Sequence, residues 1–330
     1  MQKIEISSRT IIFTIVFILL LQFIWLVKDI IFSLFIAFII MSAFKPYVNF
    51  LTARKVPRFL AAAFIYIIFV LLVFGAFFLM LPPLITETTL LIRILPTVIE
   101  RVAPNLATTL DLNQIFQYLP NIANQFFDVV SSIFSNTVFI ITTLFFGFYF
   151  LIEEDVIRKI VVKFFDTATS NRILTVFDKA EKRLSSWFWG QVSLMTIVGL
   201  MTYVGLQLLG MRYVLALAVL AGILEAIPNL GPTLSAVPSV LIAFSISPVM
   251  GLAVLALYFV VQQIENNLAV PIIMKRAVGL SPIITLIALL VGGRIGGVLG
   301  VLLAIPITVF LETMIIEVLN AQKKPAVNPR

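Results

Sequence analysis

Eight long apolar stretches make up most of this chain, and a bilayer is the solvent that accommodates them. Six of them, at 10–27, 30–47, 59–81, 133–152, 191–210 and 249–270, have the length that crosses hydrocarbon as a helix, about 20 residues for ~30 Å. Inside hydrocarbon every backbone N–H and C=O must find a partner within the protein, so an unbroken apolar run reads as an α-helix. The other two stretches, 213–247 and 279–319, are interrupted in the middle. The chain has 330 residues, of which 61% are hydrophobic, and its mean hydropathy is +1.12. These values lie outside the range of soluble domains, and the predicted fold class is an all-α polytopic membrane protein.

The same composition excludes several functions. Cysteine and histidine are both absent, which removes disulfides, ordinary zinc sites, and catalytic triads or proton relays built on either residue. No phosphate-binding glycine-rich loop followed by Lys-Ser or Lys-Thr is present, so uphill transport by this chain draws on an ion gradient or another protein. The net charge of +7 fits basic loops beside anionic lipid and does not call for nucleic acid. Lys3 and Arg9 precede the first apolar stretch in the manner of a signal peptide. No small-residue cleavage site follows, so it reads as a retained first helix.

Loop charge sets the expected topology. Lys45, Arg54, Lys55 and Arg58 lie around the second loop without an acid among them, which predicts a cytoplasmic loop and a cytoplasmic N-terminus. The expected organisation begins with transmembrane helices in 1–81, an extracytoplasmic amphipathic segment at 82–132 and a helix at 133–152. Cytoplasmic amphipathic helices at 153–190, a transport core at 191–322 and a cytoplasmic tail at 323–330 complete it. In 153–190, Val156, Ile157, Ile160 and Val161 recur at helical spacing, and Leu174, Phe177, Leu184 and Trp187 continue the apolar face. The half-segments 213–227 and 232–247 would each be ~22–24 Å long, short of a crossing, and fit a re-entrant hairpin entered from outside. For 279–319 a hairpin and a broken span both remain open. A shift of 69 residues brings Leu217–Leu220 onto Leu286–Leu289, Gly231 onto Gly300, and Glu225 onto Arg294. Such internal symmetry fits the inverted repeats of secondary transporters.

Three polar clusters interrupt the apolar background. The first holds Glu225, Pro228, Asn229, Gly231 and Pro232. A carboxylate at mid-bilayer costs roughly 2.5–3.5 kcal/mol on insertion scales and persists where it meets a cavity, a partner charge or a moving ion. Pro and Gly beside it release backbone groups that protein, water or a solute must satisfy. The second cluster holds Gln262, Gln263, Glu265, Asn266 and Asn267, an amide-rich surface suited to hydroxylated solutes or hydrated cations. Interhelical hydrogen bonding is the competing structural reading, worth ~0.6 kcal/mol per bond on average. The third holds Gly292, Gly293, Arg294, Gly296, Gly297 and Gly300. Gly293 and Gly297 form a helix-packing pair, and Arg294 is placed to neutralise Glu225 or Glu265 or to hold an anionic substrate. Glu225, Asn229, Gln262, Gln263, Glu265, Asn266, Asn267 and Arg294 are therefore the candidate solute or ion ligands. Pro228, Gly231, Pro232, Gly293, Gly296, Gly297 and Gly300 are the candidate hinges. No resident cofactor or metal site is predicted, only Na⁺ or H⁺ as transported or coupling ion.

In this order, the three clusters resemble the autoinducer-2 exporter family. The likeness is carried by Glu225, Pro228, Gly231, Pro232 and Pro238, then by Gln262, Gln263, Glu265, Asn266, Asn267 and Pro271. Val278, Gly279, Leu280, Pro282, Gly296, Gly297, Gly300, Pro306 and the Trp189-Gly190-Gln191 junction extend it. The resemblance implies a multi-helix exporter of a small polar solute and a homo-oligomer, with a pentamer as one form. Activities attributed within the family include autoinducer-2 export, a part of quorum sensing, and sodium/proton antiport. Where the family often holds histidine after Leu280, this chain has Ser281, so no histidine proton role carries over. The leading expectation is a non-enzymatic secondary transporter of the cytoplasmic membrane coupled to protons or sodium. A sodium/proton antiporter and an uncoupled scaffold or passive channel are the alternatives.

Overall fold

The computed structural model describes residues 8–76, 78, 82, 86, 136–153, 156–227, 231–274 and 279–323. Nearly all of the expected segment 82–132, together with Pro228, Asn229, Lys275, Arg276 and the end of the tail, lies outside the described residues. Among the described residues all regular structure is helical: α1 (Ser8–Leu26), α2 (Lys28–Ala53), α3 (Arg58–Ala76), α4 (Thr137–Ile152), α5 (Val156–Phe164), α6 (Thr167–Leu208), α7 (Val214–Leu224), α8 (Gly231–Ile246), α9 (Pro248–Met274) and α10 (Pro282–Lys323). Six of these, α1, α2, α3, α6, α9 and α10, are long and apolar enough to cross a membrane. The pair α4 and α5, bent by 77° at their junction, makes a seventh candidate.

Local chemistry sets where the helices begin. Ser247 accepts a bond from Met250 N at 3.1 Å, and Pro248 behind it starts α9 with a residue whose missing N–H costs nothing there. Asn136 caps α4 through Phe139 N at 3.0 Å. Asp166 caps α6 through Ala168 N and Thr169 N at 3.0 and 3.1 Å. Hydrogen bonds from Thr169 hold the Asp166 carboxyl below the usual carboxylate range. From this cap α6 runs 42 residues without interruption, so the expected boundary at 190/191 falls inside a continuous helix.

Helices α2, α3 and α4 form one bundle. Ser33 and Thr143 share a buried hydrogen bond of 2.8 Å, and Tyr66 donates to Leu144 O at 2.8 Å. Arg58 donates to Leu151 O and Ile152 O, tying the start of α3 to the end of α4. Trp189 then joins α6 to this bundle through Ala43 O at 3.0 Å. At the end of the molecule that carries the basic 54–58 loop, ion pairs link Lys45 to Glu181, Arg183 to Glu312 and Lys179 to Glu317. These pairs are partly buried, and they tie α6 to α2 and α10. Helix α1 buries no residue and is apolar all round, the form of a helix that faces lipid.

Both interrupted stretches are helical hairpins. The 11 residues of α7 rise only ~16 Å, and the chain then turns and returns as α8. A β-carbon at Gly231 would overlap the Leu224 carbonyl, so glycine permits this closure. Helix α10 reverses at Gly297, whose φ of 58° and ψ of −135° lie outside helical space. Gly292 and Gly300 touch backbone to backbone after the reversal. Eight residues of straight helix would hold them ~12 Å apart. The first hairpin opens at the C-terminal end of α6, which it follows after a short turn. The second opens beside Arg183 in the N-terminal half of α6, where Gly279 lies, and its tip at Ile295 and Gly296 meets Lys28 and Phe32. The hairpins therefore open toward opposite ends of one helix, and the 69-residue shift places one tip on the other.

The absence of cysteine makes this arrangement testable with single introduced thiols. Ser247→Cys and Ser281→Cys are expected to react with an impermeant maleimide from opposite sides of the membrane; labelling from one side would remove the opposed-hairpin topology. Asp166→Ala is expected to speed hydrogen exchange at Ala168 and Thr169. Because the Asp166 pKa is lowered on folding, its cap is intact above the ordinary carboxylate range and is lost as pH falls through the lowered value, giving the same fraying in acid.

Candidate functional site

The first hairpin places its tip deep in the molecule. Glu225 closes α7, its N–H bonded to Ala221 O, and the turn continues with Ala226 N to Ile223 O and Ile227 N to Leu224 O. The Glu225 carbonyl points away from this turn and accepts from Gln191 Nε2 at 2.7 Å. Gln191 is itself buried in α6, so a single amide pins the tip of the re-entrant hairpin to the longest described helices' common core.

Opposite the tip, α9 changes its winding. After Ile264 the helix takes one π-helical turn, Glu265–Ala269, in which Val270 N–H reaches back five residues to Glu265 O. Such a turn inserts an extra residue and redirects the side chains that follow, a device found often at functional sites. Glu265 is thereby turned inward and only 2% exposed, and Glu225 is 1% exposed. Their carboxyl groups are close enough to interact electrostatically. Gln262 lies beside the pair, its Nε2 at a long 3.5 Å from Glu265 Oε2. Glu225 Oε2 has no hydrogen-bond partner among the described residues. Two neighbouring buried carboxyls, one with an orphaned oxygen, have the chemistry to share a proton or a small cation.

A file of buried hydroxyls lies between α8 and the preceding turns of α9. Tyr258 stands seven residues before Glu265 on the same side of α9, and its hydroxyl shares a 2.7 Å hydrogen bond with Ser239 of α8. Ser239 sits one turn beyond Ser235, whose hydroxyl bonds Pro232 O at 3.0 Å. All three residues are buried.

The sequence-predicted residues thus separate. Glu225, Glu265 and Gln262 come together, while Gln263, Asn266 and Asn267 are exposed on the outer side of α9. Arg294 is exposed near the tip of the second hairpin and forms no ion pair with Glu225 or Glu265. Asn229 and Pro228 fall outside the described residues. Gly231 and Pro232 are buried at the first turn, Gly297 makes the second, and Gly292, Gly293 and Gly300 line the close approach behind it, with Gly296 against Phe32. Sequence reading gave Gln191 no role, and it passed over Ser235, Ser239 and Tyr258. The signal available was polar residues four or seven apart inside apolar helices. Replacing Gln191 by leucine leaves the Glu225 carbonyl buried without a donor. The expected cost is about 1–3 kcal/mol, read as a lowered melting temperature in detergent, whereas exposed Asn267→Leu leaves melting unchanged.

Comparison with known proteins agrees with this architecture. The model of the AI-2E family transporters matches residues 12–320. The putative transport protein YueF of Bacillus subtilis is 28% identical, over 91% of this chain and 87% of its own length. The AI-2 transport protein TqsA of Escherichia coli is 27% identical, over 88% of this chain and 85% of its own. A second Bacillus subtilis protein, the putative transport protein YrrI, is 30% identical over 54% of this chain and 51% of its own length. With the family match spanning nearly the whole chain, and relatives named for membrane transport aligned across most of it, this polytopic helical protein belongs to the AI-2E transporter family.

Proposed function

We propose that the chain is a secondary transporter of the cytoplasmic membrane, with both termini inside, that exports a small polar solute against exchange of protons or sodium. The observation that carries this reading is the Glu225–Glu265 pair, buried where a re-entrant tip meets a π-helical turn. Two carboxylates side by side in a medium of low dielectric repel, and a proton or a cation between them relieves the repulsion. Binding of one ion therefore releases the other, which is the elementary step of coupled exchange. Gln262 beside the pair, and the hydroxyls of Ser235, Ser239 and Tyr258 about two turns away, supply donors and acceptors for a hydroxylated solute. The name of the relative TqsA supports autoinducer-2 or a solute like it as cargo. Its opposed hairpins supply the broken helices that such transporters place around a midplane site.

A sodium/proton antiporter is the second reading, favoured by the orphaned Glu225 Oε2, which suits a bare cation better than a solute hydroxyl. In either case the protein works as a homo-oligomer. The exposed Gln263, Asn266 and Asn267 support this, because amides on a membrane helix need water or another subunit to cover them.

Proteoliposomes loaded with a pH-sensitive dye test both readings. Under an imposed proton gradient, sodium and autoinducer-2 are added separately to wild type and to a Glu225→Gln/Glu265→Gln variant. Proton flux that requires autoinducer-2 and falls at least about tenfold in the variant is the expected result. Flux that requires only sodium selects the antiporter. Flux that is absent with every addition, and equal in wild type and variant, overturns coupled transport in favour of a scaffold or channel.

A further inference from the structure

A cavity of about 640 Å³ lies between α2, α5, α6 and the Phe310 region of α10, away from the carboxyl pair. Its composition changes along its length. From Ile31 through Leu34, Phe35 and Phe38 to Met41, α2 presents one apolar face, and Phe177 and Phe310 close it from the other side. From Ile31 to Met41 the helix rises ~15 Å, the depth of one leaflet of a ~30 Å hydrocarbon core. Beyond Met41 charged residues join the lining: Lys45 on α2, Glu153 and Arg158 flanking Val156 and Ile157, and Asp178 and Glu181 on α6. Apolar depth matched to one leaflet, ending in a polar rim at the interface, is the profile of a phospholipid.

The rim also specifies the headgroup. Lys45 and Arg158 are cations suited to a phosphate, and Lys45 is held at the mouth by Glu181 at 2.9 Å. Glu153 is paired with Lys159, while Asp178 is exposed at the edge of the cavity and takes part in none of the ion pairs above. A purely anionic headgroup would face three carboxylates at this rim, and a purely cationic one would face two cations. Both signs are satisfied by a headgroup that carries both. We propose that this cavity is a lipid site that seats one acyl chain of a zwitterionic phospholipid, with its ammonium toward Asp178 and its phosphate toward Lys45 and Arg158.

The test uses the full-length protein in detergent and a lysophosphatidylethanolamine with an environment-sensitive fluorophore on its chain. Unlabelled lysophosphatidylethanolamine is expected to displace the probe at about one-tenth the concentration needed for lysophosphatidylglycerol or a hexadecyltrimethylammonium salt. Leu34→Trp, which fills the apolar part, is expected to abolish probe binding at unchanged melting temperature. Asp178→Asn, at the exposed edge, is expected to retain the probe but lose the preference over lysophosphatidylglycerol. Equal displacement by all three amphiphiles, preference for the anionic or the cationic one, or binding unchanged in both variants would overturn the proposal.

Discussion

One hydrogen bond, from Gln191 Nε2 to the Glu225 carbonyl, holds the candidate site in its position. A helix that stops inside hydrocarbon leaves carbonyls without partners, and each must be met by protein or water. At the end of α7 most of the turn satisfies itself through short bonds, and the Glu225 carbonyl is left to α6. The amide that meets it fixes the height of the tip, and with it the depth at which the Glu225 side chain faces Glu265. The π-helical turn in α9 completes the arrangement by rotating Glu265 inward while sending the following asparagines out. Site geometry thus depends on two local departures from regular helix, each tied to a longer helix that stays regular.

Helix α6 is the common reference for both hairpins. Its membrane half carries the first through Gln191, and its polar half carries the second through Arg183 and Lys179. The two hairpins thus lean on one helix from opposite ends. The close approaches at Gly231 and between Gly292 and Gly300 keep each hairpin narrow.

Much of the candidate site was legible in the sequence, for a physical reason. Carboxylates, prolines and glycines are expensive inside apolar helices, so Glu225, Glu265, Gly231 and Gly297 stand out against a background that is almost featureless. Arg294 stood out equally, yet it lies exposed at another tip, because a shared position in a repeat does not place two residues in contact. Gln263, Asn266 and Asn267 looked equivalent to Gln262 while the helix was taken as regular, and the π turn separated them. Ser235, Ser239 and Tyr258 gave a weak signal, since hydroxyl groups occur in membrane helices for packing alone.

What the sequence determined by itself is the solvent, the helical class, the broken segments and the residue types that can carry an ion. All of these follow from hydropathy, periodicity and the cost of polar groups in hydrocarbon, which are properties of the chain read locally. Tertiary structure decided that both interrupted stretches are hairpins, that they open toward opposite ends of α6, and that Glu225 meets Glu265 and not Arg294. Those outcomes depend on which groups lie side by side although far apart in the chain, as Gln191 and Glu225 do at a separation of 34 positions. Apolar sequence of low complexity does not encode that register; close backbone contacts and a few buried hydrogen bonds do.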